Sequence, residues 1–226
     1  GMGETGVSYM WQVSADTGKS WINVTQQNIN GNQPGIMISG VGYGKSSTNN
    51  DGLPKFIEIY ALEDANLSQY RMYDNLTGNY SSVYGWGFIN LNIQMKKGER
   101  LLLYYSKSHA DTFFGSDINE LYDHTYSSNY LNYTMRGGDD NYTLWHPTYG
   151  FFDRVGPYGN SSLNYDDGWL YRKSGSLPKL NVDPDEWTVC RDCLESSTNA
   201  TAGTPFPLKT FTSGYTGGFD FVYDAD

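Results

Sequence analysis

The chain has 226 residues, 15 Lys or Arg against 25 Asp or Glu, a net charge of −10, and 38% hydrophobic residues with 16% aromatic. Its mean hydropathy is −0.58. A length of this order fits one large β-domain or one domain with a small appendage; the charge excludes a phosphate-tracking basic face, and no apolar run approaches the roughly 18 residues of a membrane span.

Residues 1–33 read as an N-terminal β-hairpin extension. Val7, Tyr9, Trp11 and Val13 alternate with polar or small residues before Asp16-Thr17-Gly18. Alternation ending in a Gly-bearing turn predicts a hairpin. Ser14-Ala15-Asp16-Thr17-Gly18-Lys19-Ser20-Trp21 matches an Asp-box. Asp caps the turn's backbone and Gly takes the left-handed position, so the box is structural. Repeated boxes mark propellers; this chain has one.

Residues 34–193 read as one sandwich. Strands are predicted at 36–41, 56–61, 70–74, 87–92, 100–105, 130–134, 142–146, 151–155, 169–173 and 186–190, with turn signals between them. One helical turn is expected at 106–113, inside an insertion spanning 106–129. Residues 194–226 turn Ser/Thr/Gly-rich and read as a C-terminal tail with one strand at 219–223. The expected fold class is all-β, an antiparallel β-sandwich.

Gly40-Val41-Gly42-Tyr43-Gly44-Lys45-Ser46-Ser47 imitates a phosphate loop. Such a loop must open a helix whose amides hold phosphate. Thr48-Asn49-Asn50-Asp51-Gly52-Leu53-Pro54 cannot form that helix, so nucleotide binding is excluded. No G-x-S-x-G elbow is present, and His109, His124 and His146 lack ligand spacing.

The two cysteines, Cys190 and Cys193, form a CxxC. A redox pair would need a βαβ setting, and half a zinc site would need two more ligands. The flanks suit a strand end and a loop, so a local disulfide in an oxidising compartment is the favoured reading. Eight Asn-X-Ser/Thr sequons stand at Asn23, Asn66, Asn75, Asn79, Asn132, Asn141, Asn160 and Asn199. They are glycan acceptors in a eukaryotic secretory chain and chance products of an Asn/Ser/Thr-rich composition otherwise. No signal peptide is read in the opening GMGETG, and the expectation is an export signal already removed.

The order of FIEIY (Phe56–Tyr60), Leu67-Ser68-Gln69-Tyr70, Lys97-Gly98-Glu99, Gly138-Asp139-Asp140, Leu144, Asp153, Val155-Gly156 and Tyr171-Arg172 resembles the lamin-tail domain over roughly residues 34–190. The chain departs from that pattern at Ser39-Gly40, at Ala61 and in the insertion. The resemblance implies an immunoglobulin-like β-sandwich without shared catalytic residues, used as a scaffold in lamins and as a surface or adhesion module in secreted bacterial proteins. In bacteria it often stands beside nucleases or phosphatases, so an accessory domain of an extracellular hydrolase is the alternative role.

Acidic loops supply the oxygens that Ca²⁺ takes, which makes Asp139, Asp140 and Asp183 the candidate ligands of a structural Ca²⁺; the competing reading is turn capping. No other cofactor is expected. Tyr84, Trp86, Trp145 and Tyr149 are the candidate ligand-binding aromatics, since a planar ring stacks on a sugar while its polar rim stays wet. Sandwich cores also use such rings. The expected protein is a monomeric, non-enzymatic, extracellular or cell-surface binding module whose partner is a glycan or a surface protein.

Overall fold

A computed structural model describes residues 12–13, 22–23, 34–44, 53–74, 84–87, 92–157, 161–194 and 198–214. The chain divides into two compact units, Gly1–Gln33 with Gly217–Asp226, and Pro34–Thr216. In the first, β1 (Gln12–Val13) pairs antiparallel with β2 (Ile22–Asn23), opposing Val13 to Ile22. The expected hairpin is present at those four residues; the Asp-box, the 219–223 strand and residues 45–52 of the phosphate-loop mimic lie outside the described residues.

The second unit is mostly β. Its elements are β3 (Ile36–Tyr43), β4 (Lys55–Ala61), β5 (Ala65–Asn66), β6 (Arg71–Asp74), β7 (Tyr84–Gly87), β8 (Gln94–Met95), β9 (Arg100–Tyr104), α1 (Lys107–Phe114), α2 (Ile118–Leu121), β10 (His124–Ser127), α3 (Tyr130–Thr134), β11 (Tyr142–His146), β12 (Gly150–Val155), β13 (Gly168–Arg172) and β14 (Trp187–Cys190). One sheet runs β10-β9-β4-β3-β13-β14 and a second runs β12-β11-β6-β7, while β5 and β8 form a short separate ladder. All described pairings are antiparallel except β9 with β10.

Alternation along the strands sorts side chains into two cores. Ile36, Ile38, Val41, Ile57, Ile59, Leu101, Leu103 and Leu170 share a mostly aliphatic core with Met72, Leu144, Phe152 and Val155 of the second sheet. Met37, Phe56, Leu102, Tyr104, Trp169 and Tyr171 pack on the other face with Phe113, Phe114, Leu194, Phe206 and Phe211. The large sheet is thus buried on both faces, which explains the unbroken apolar runs IMI and LLLYY.

The insertion forms part of that outer cover. Ser106 caps α1 through His109 N–H, and Gly115 ends it at φ 70°; a hydroxyl at the start and a left-handed Gly at the end are standard helix stops. β10 then extends the sheet edge. Residues 198–214, within the stretch read as a C-terminal tail, are a docked strap: Phe206 and Phe211 are 2% and 0% exposed. The Tyr171 hydroxyl accepts from Phe211 N at 3.0 Å, and the Asn199 side chain accepts from Phe206 N at 2.6 Å.

Residues 130–134 are helical, not the expected strand. Leu131 and Met135 are both buried in the inner core. Thr134 is buried as well. Side chains three apart share a face in a helix and fall on opposite faces of a strand, and Met135 N donates to Leu131 O at 3.1 Å, the helical i→i−4 bond. At Ser39 the register of β3 on β4 shifts by one residue. The extra residue leaves Ile38 N free for Asp153 Oδ2 at 2.8 Å. Gly40 and Gly42 face the outer aromatic layer, where a Cβ at Gly40 would sit 2.8 Å from Phe206 Cζ and one at Gly42 would overlap the Phe56 ring. The glycines that imitate a phosphate loop serve as a flat floor for rings.

Candidate binding cleft

Two acidic loops meet at one end of the second unit. The first, Arg136–Asp140, follows α3; the second, 161–167, precedes β13. Asp140 folds the first loop back on itself, its Oδ2 accepting from Arg136 N at 2.5 Å and Gly137 N at 3.0 Å. Gly138 allows contact between the loops, because a Cβ there would overlap Asp166 N. Tyr165 closes the contact: its N–H donates to Gly138 O at 2.8 Å and its hydroxyl to Asp140 O at 3.0 Å. Tyr43, at the end of β3, donates to Arg136 O at 2.8 Å. Lys55 stands 5.4 Å from the centre of the Tyr43 ring and donates to Met135 O at 2.8 Å.

Between the loops lies a cleft of about 350 Å³ lined by Tyr43, Arg136, Gly137, Gly138, Asp139, Asn164 and Asp166. Its electrostatics are acidic. Burial, then the charges of Asp166, Asp167, Asp140 and Asp139, push the Tyr43 phenol up to about 12. Burial raises Asp140 to about 6 against the opposing pull of the Gly137 and Arg136 amides. Asp140 is not a lining residue. It stands behind the wall with one oxygen taken by two backbone amides, the geometry of a loop cap and not of a proton donor to a ligand.

The predicted site residues scatter. Asp139 lines the cleft, and Asp140 supports it. Asp183 serves elsewhere as the cap of a 3₁₀ turn, accepting from Asp185 N at 3.0 Å and facing Lys179 at 3.6 Å. Among the described residues no three His, Cys, Asp or Glu side chains are placed to hold a metal ion, so the three aspartates expected for Ca²⁺ are not gathered. Cys190 and Cys193 form the expected disulfide.

Of the aromatics, Trp145 stacks under Arg71 at 5.8 Å. Tyr149 stacks on His146 at 4.7 Å, and Thr148 N donates to His146 Nδ1 at 3.1 Å. Trp86 pairs with Met72 and Tyr84 with Asp74 in the β6–β7 ladder, whereas Trp145 pairs with Arg71. Neighbouring positions of a strand fall on opposite faces, so the register does not set Trp86 in one row with Trp145. The side chains of Tyr84 and Trp86 lie outside the described residues.

Sequence reading missed Tyr43, Arg136 and Asn164. The usable signal was the Gly137-Gly138 pair: adjacent glycines before two aspartates mark a backbone that something approaches closely.

The chain matches no family model, no curated protein and no solved structure. Among the described residues no helix is long and apolar enough to cross a membrane.

Proposed function

We propose that this protein is a non-enzymatic, secreted or cell-surface binding module built on an immunoglobulin-like, lamin-tail-type β-sandwich, and that it takes a hydroxyl-rich glycan in the cleft between the two acidic loops. The observation that carries this reading is the cleft lining: two carboxylates, an amide, a guanidinium and a phenol around about 350 Å³. Vicinal sugar hydroxyls each donate and accept, and carboxylate, amide and guanidinium groups together supply both roles. The loop backbones are already tied by Asp140, Tyr165 and Tyr43, so binding orders little chain.

Support for the lamin-tail reading comes from how its scattered positions meet. Arg172 Nη2 pairs with Asp153 Oδ1 at 2.7 Å, both side chains at most 1% exposed. Gly156, at φ 106°, packs against the backbone of Asp140 and Asn141. Gly98, at φ 87°, turns the chain into β9. These residues hold the fold, as a scaffold family without a shared active site requires.

A glycan array on the purified chain, followed by melting curves with each retained sugar, with Ca²⁺ and with EDTA, tests the proposal. A retained sugar raises the melting temperature by several degrees at about 100 times its Kd, and Asp139→Ala abolishes that shift. An array with no retained glycan refutes the ligand class. Turnover of a chromogenic glycoside refutes the non-enzymatic reading. A rise with Ca²⁺ alone reassigns the acidic loops to a metal.

A further inference from the structure

The second wall of the cleft does not stand by itself. Residues 161–167 carry Asn164 and Asp166, and the disulfide-closed turn 190–193 holds them from behind. Arg191 Nε donates to Asn164 O at 2.8 Å, and its Nη2 donates to Ser161 O at 2.7 Å and Ser162 O at 3.3 Å. Asp192 N donates to Asp166 O at 3.1 Å, and Leu194 N to Asp167 O at 2.8 Å. Every one of these acceptors is a main-chain carbonyl of the cleft wall.

The turn that makes these bonds is unusual in its backbone. Asp192 sits at φ 53° and its neighbour across the contact, Asp167, at φ 44°. Left-handed backbone is uncommon outside Gly, and Asp is one of the side chains that tolerate it. Gly168 lies so close to the turn that a Cβ there would overlap Cys190 O. The disulfide fixes the ends of the turn at a Cα–Cα distance of 6.0 Å. Cys190 and Cys193 are partly exposed at the outer core, within reach of a small reductant.

We infer that the Cys190–Cys193 disulfide is a redox latch on the cleft, which holds the 161–167 wall in its binding shape while oxidised and releases it when reduced. The regulatory part of this inference rests on the glycan-binding reading of the cleft; the mechanical part does not. In the releasing step a dithiol reductant attacks one sulfur as its thiolate, passes through a mixed disulfide and leaves as a cyclic disulfide. The protein gains two electrons and two protons and ends with two thiols. Without the covalent closure, Arg191 and the Asp192 amide lose their fixed spacing, and the wall loses the bonds that set Asn164 and Asp166.

Amide hydrogen exchange of the full chain tests the latch, before and after a small dithiol, with the two free thiols verified by mass. Reduction is expected to speed exchange across 161–168 and 190–194 by roughly tenfold, the scale of a closure restraint on so short a loop, while β3, β4 and β9 stay unchanged. The Cys190→Ser/Cys193→Ser variant gives the same pattern without reductant. Unchanged exchange at 161–168 in verified dithiol protein overturns the latch. A uniform rise through β3 and β4 also overturns it, by making the disulfide a staple of the whole fold. The same two forms are then run on the glycan array. A sugar held by the oxidised form and weakened tenfold or more in the reduced form supports regulation, and equal retention overturns it. Retention by neither form refutes the glycan reading, and the exchange result then decides the latch alone.

Discussion

The two faces of the large sheet solve the same burial problem with different chemistry. The inner face meets a second sheet mainly through Ile, Leu, Val and Met side chains, with Tyr142 and Phe152 of that sheet among them, and its polar element is an ion pair. Asp153 accepts from Ile38 N, Lys179 N and Arg172, while Arg172 also donates to Ile38 O and lies 4.4 Å from the Trp187 ring centre. The outer face meets a helical insertion and an extended strap through aromatic rings. Phe206 packs edge-on against Phe56, Trp169 and Tyr171. Its polar element is one carboxyl, Glu58, which accepts from Ser39 at 2.7 Å, Tyr122 at 2.9 Å and Tyr171 at 3.0 Å. Sheet on sheet leaves a regular gap that aliphatic rows fill. An irregular cover leaves uneven gaps, which large rings and hydroxyl-tipped rings bridge.

The largest expected effect breaks the inner face. Arg172→Met strips Asp153 of its cation inside the core, and losing one partner of a buried pair costs about 4 kcal/mol, read by urea unfolding. A loss under about 1 kcal/mol would mean that the pair contributes nothing to joining the sheets. Next comes the outer face. Phe206→Ala empties the centre of the aromatic layer and should cost about 3 kcal/mol; a neutral result would leave the strap decorative.

The third test uses pH at the rim of the inner layer. Asp140 is raised from 3.8 to about 6 by burial, so the folded state prefers its neutral form. Its contribution is present below pH 4 and lost as pH rises through 6. Asp140→Asn keeps the acceptor for both amides and does not titrate. It should match the parent near pH 4 and exceed it by about 3 kcal/mol at pH 7.5. Parallel pH profiles for the two proteins would remove Asp140 as a titrating group. The smallest effect returns to the outer face. Burial raises Glu58, against the opposing hydrogen bonds from Ser39, Tyr122 and Tyr171. Glu58→Gln therefore loses about 1 kcal/mol at acid pH, where an amide replaces one acceptor. That deficit shrinks as pH rises, because only the parent is penalised by ionisation; a constant deficit would refute the upward shift of Glu58 by burial.

Much of the strand order was legible because its signals are local. Phe56–Ala61, Arg100–Tyr104 and Tyr142–His146 stand within a residue or so of their predicted bounds. Residues 130–134 misled because a single helical turn is too short to display a period, and only the joint burial of Leu131, Thr134 and Met135 at helical spacing reveals it. In the cleft, Asp139 was legible as an acidic loop residue; Asn164 was not, since nothing local marks an Asn brought to a wall by the Gly138–Tyr165 contact.

The sequence by itself determined a β-rich chain, the position of its main strands, a local disulfide and a helical turn where α1 stands, because propensity, turn chemistry and a three-residue cysteine spacing act between near neighbours. Only the tertiary structure decided that the insertion and the strap cover a second core, that Asp153 meets Arg172, and that two acidic loops enclose a cleft while Asp183 stays outside it. Those outcomes depend on contacts between residues far apart in the chain, whose pairing is set by sheet register and by the backbone approach that Gly138 permits, and no local pattern encodes them.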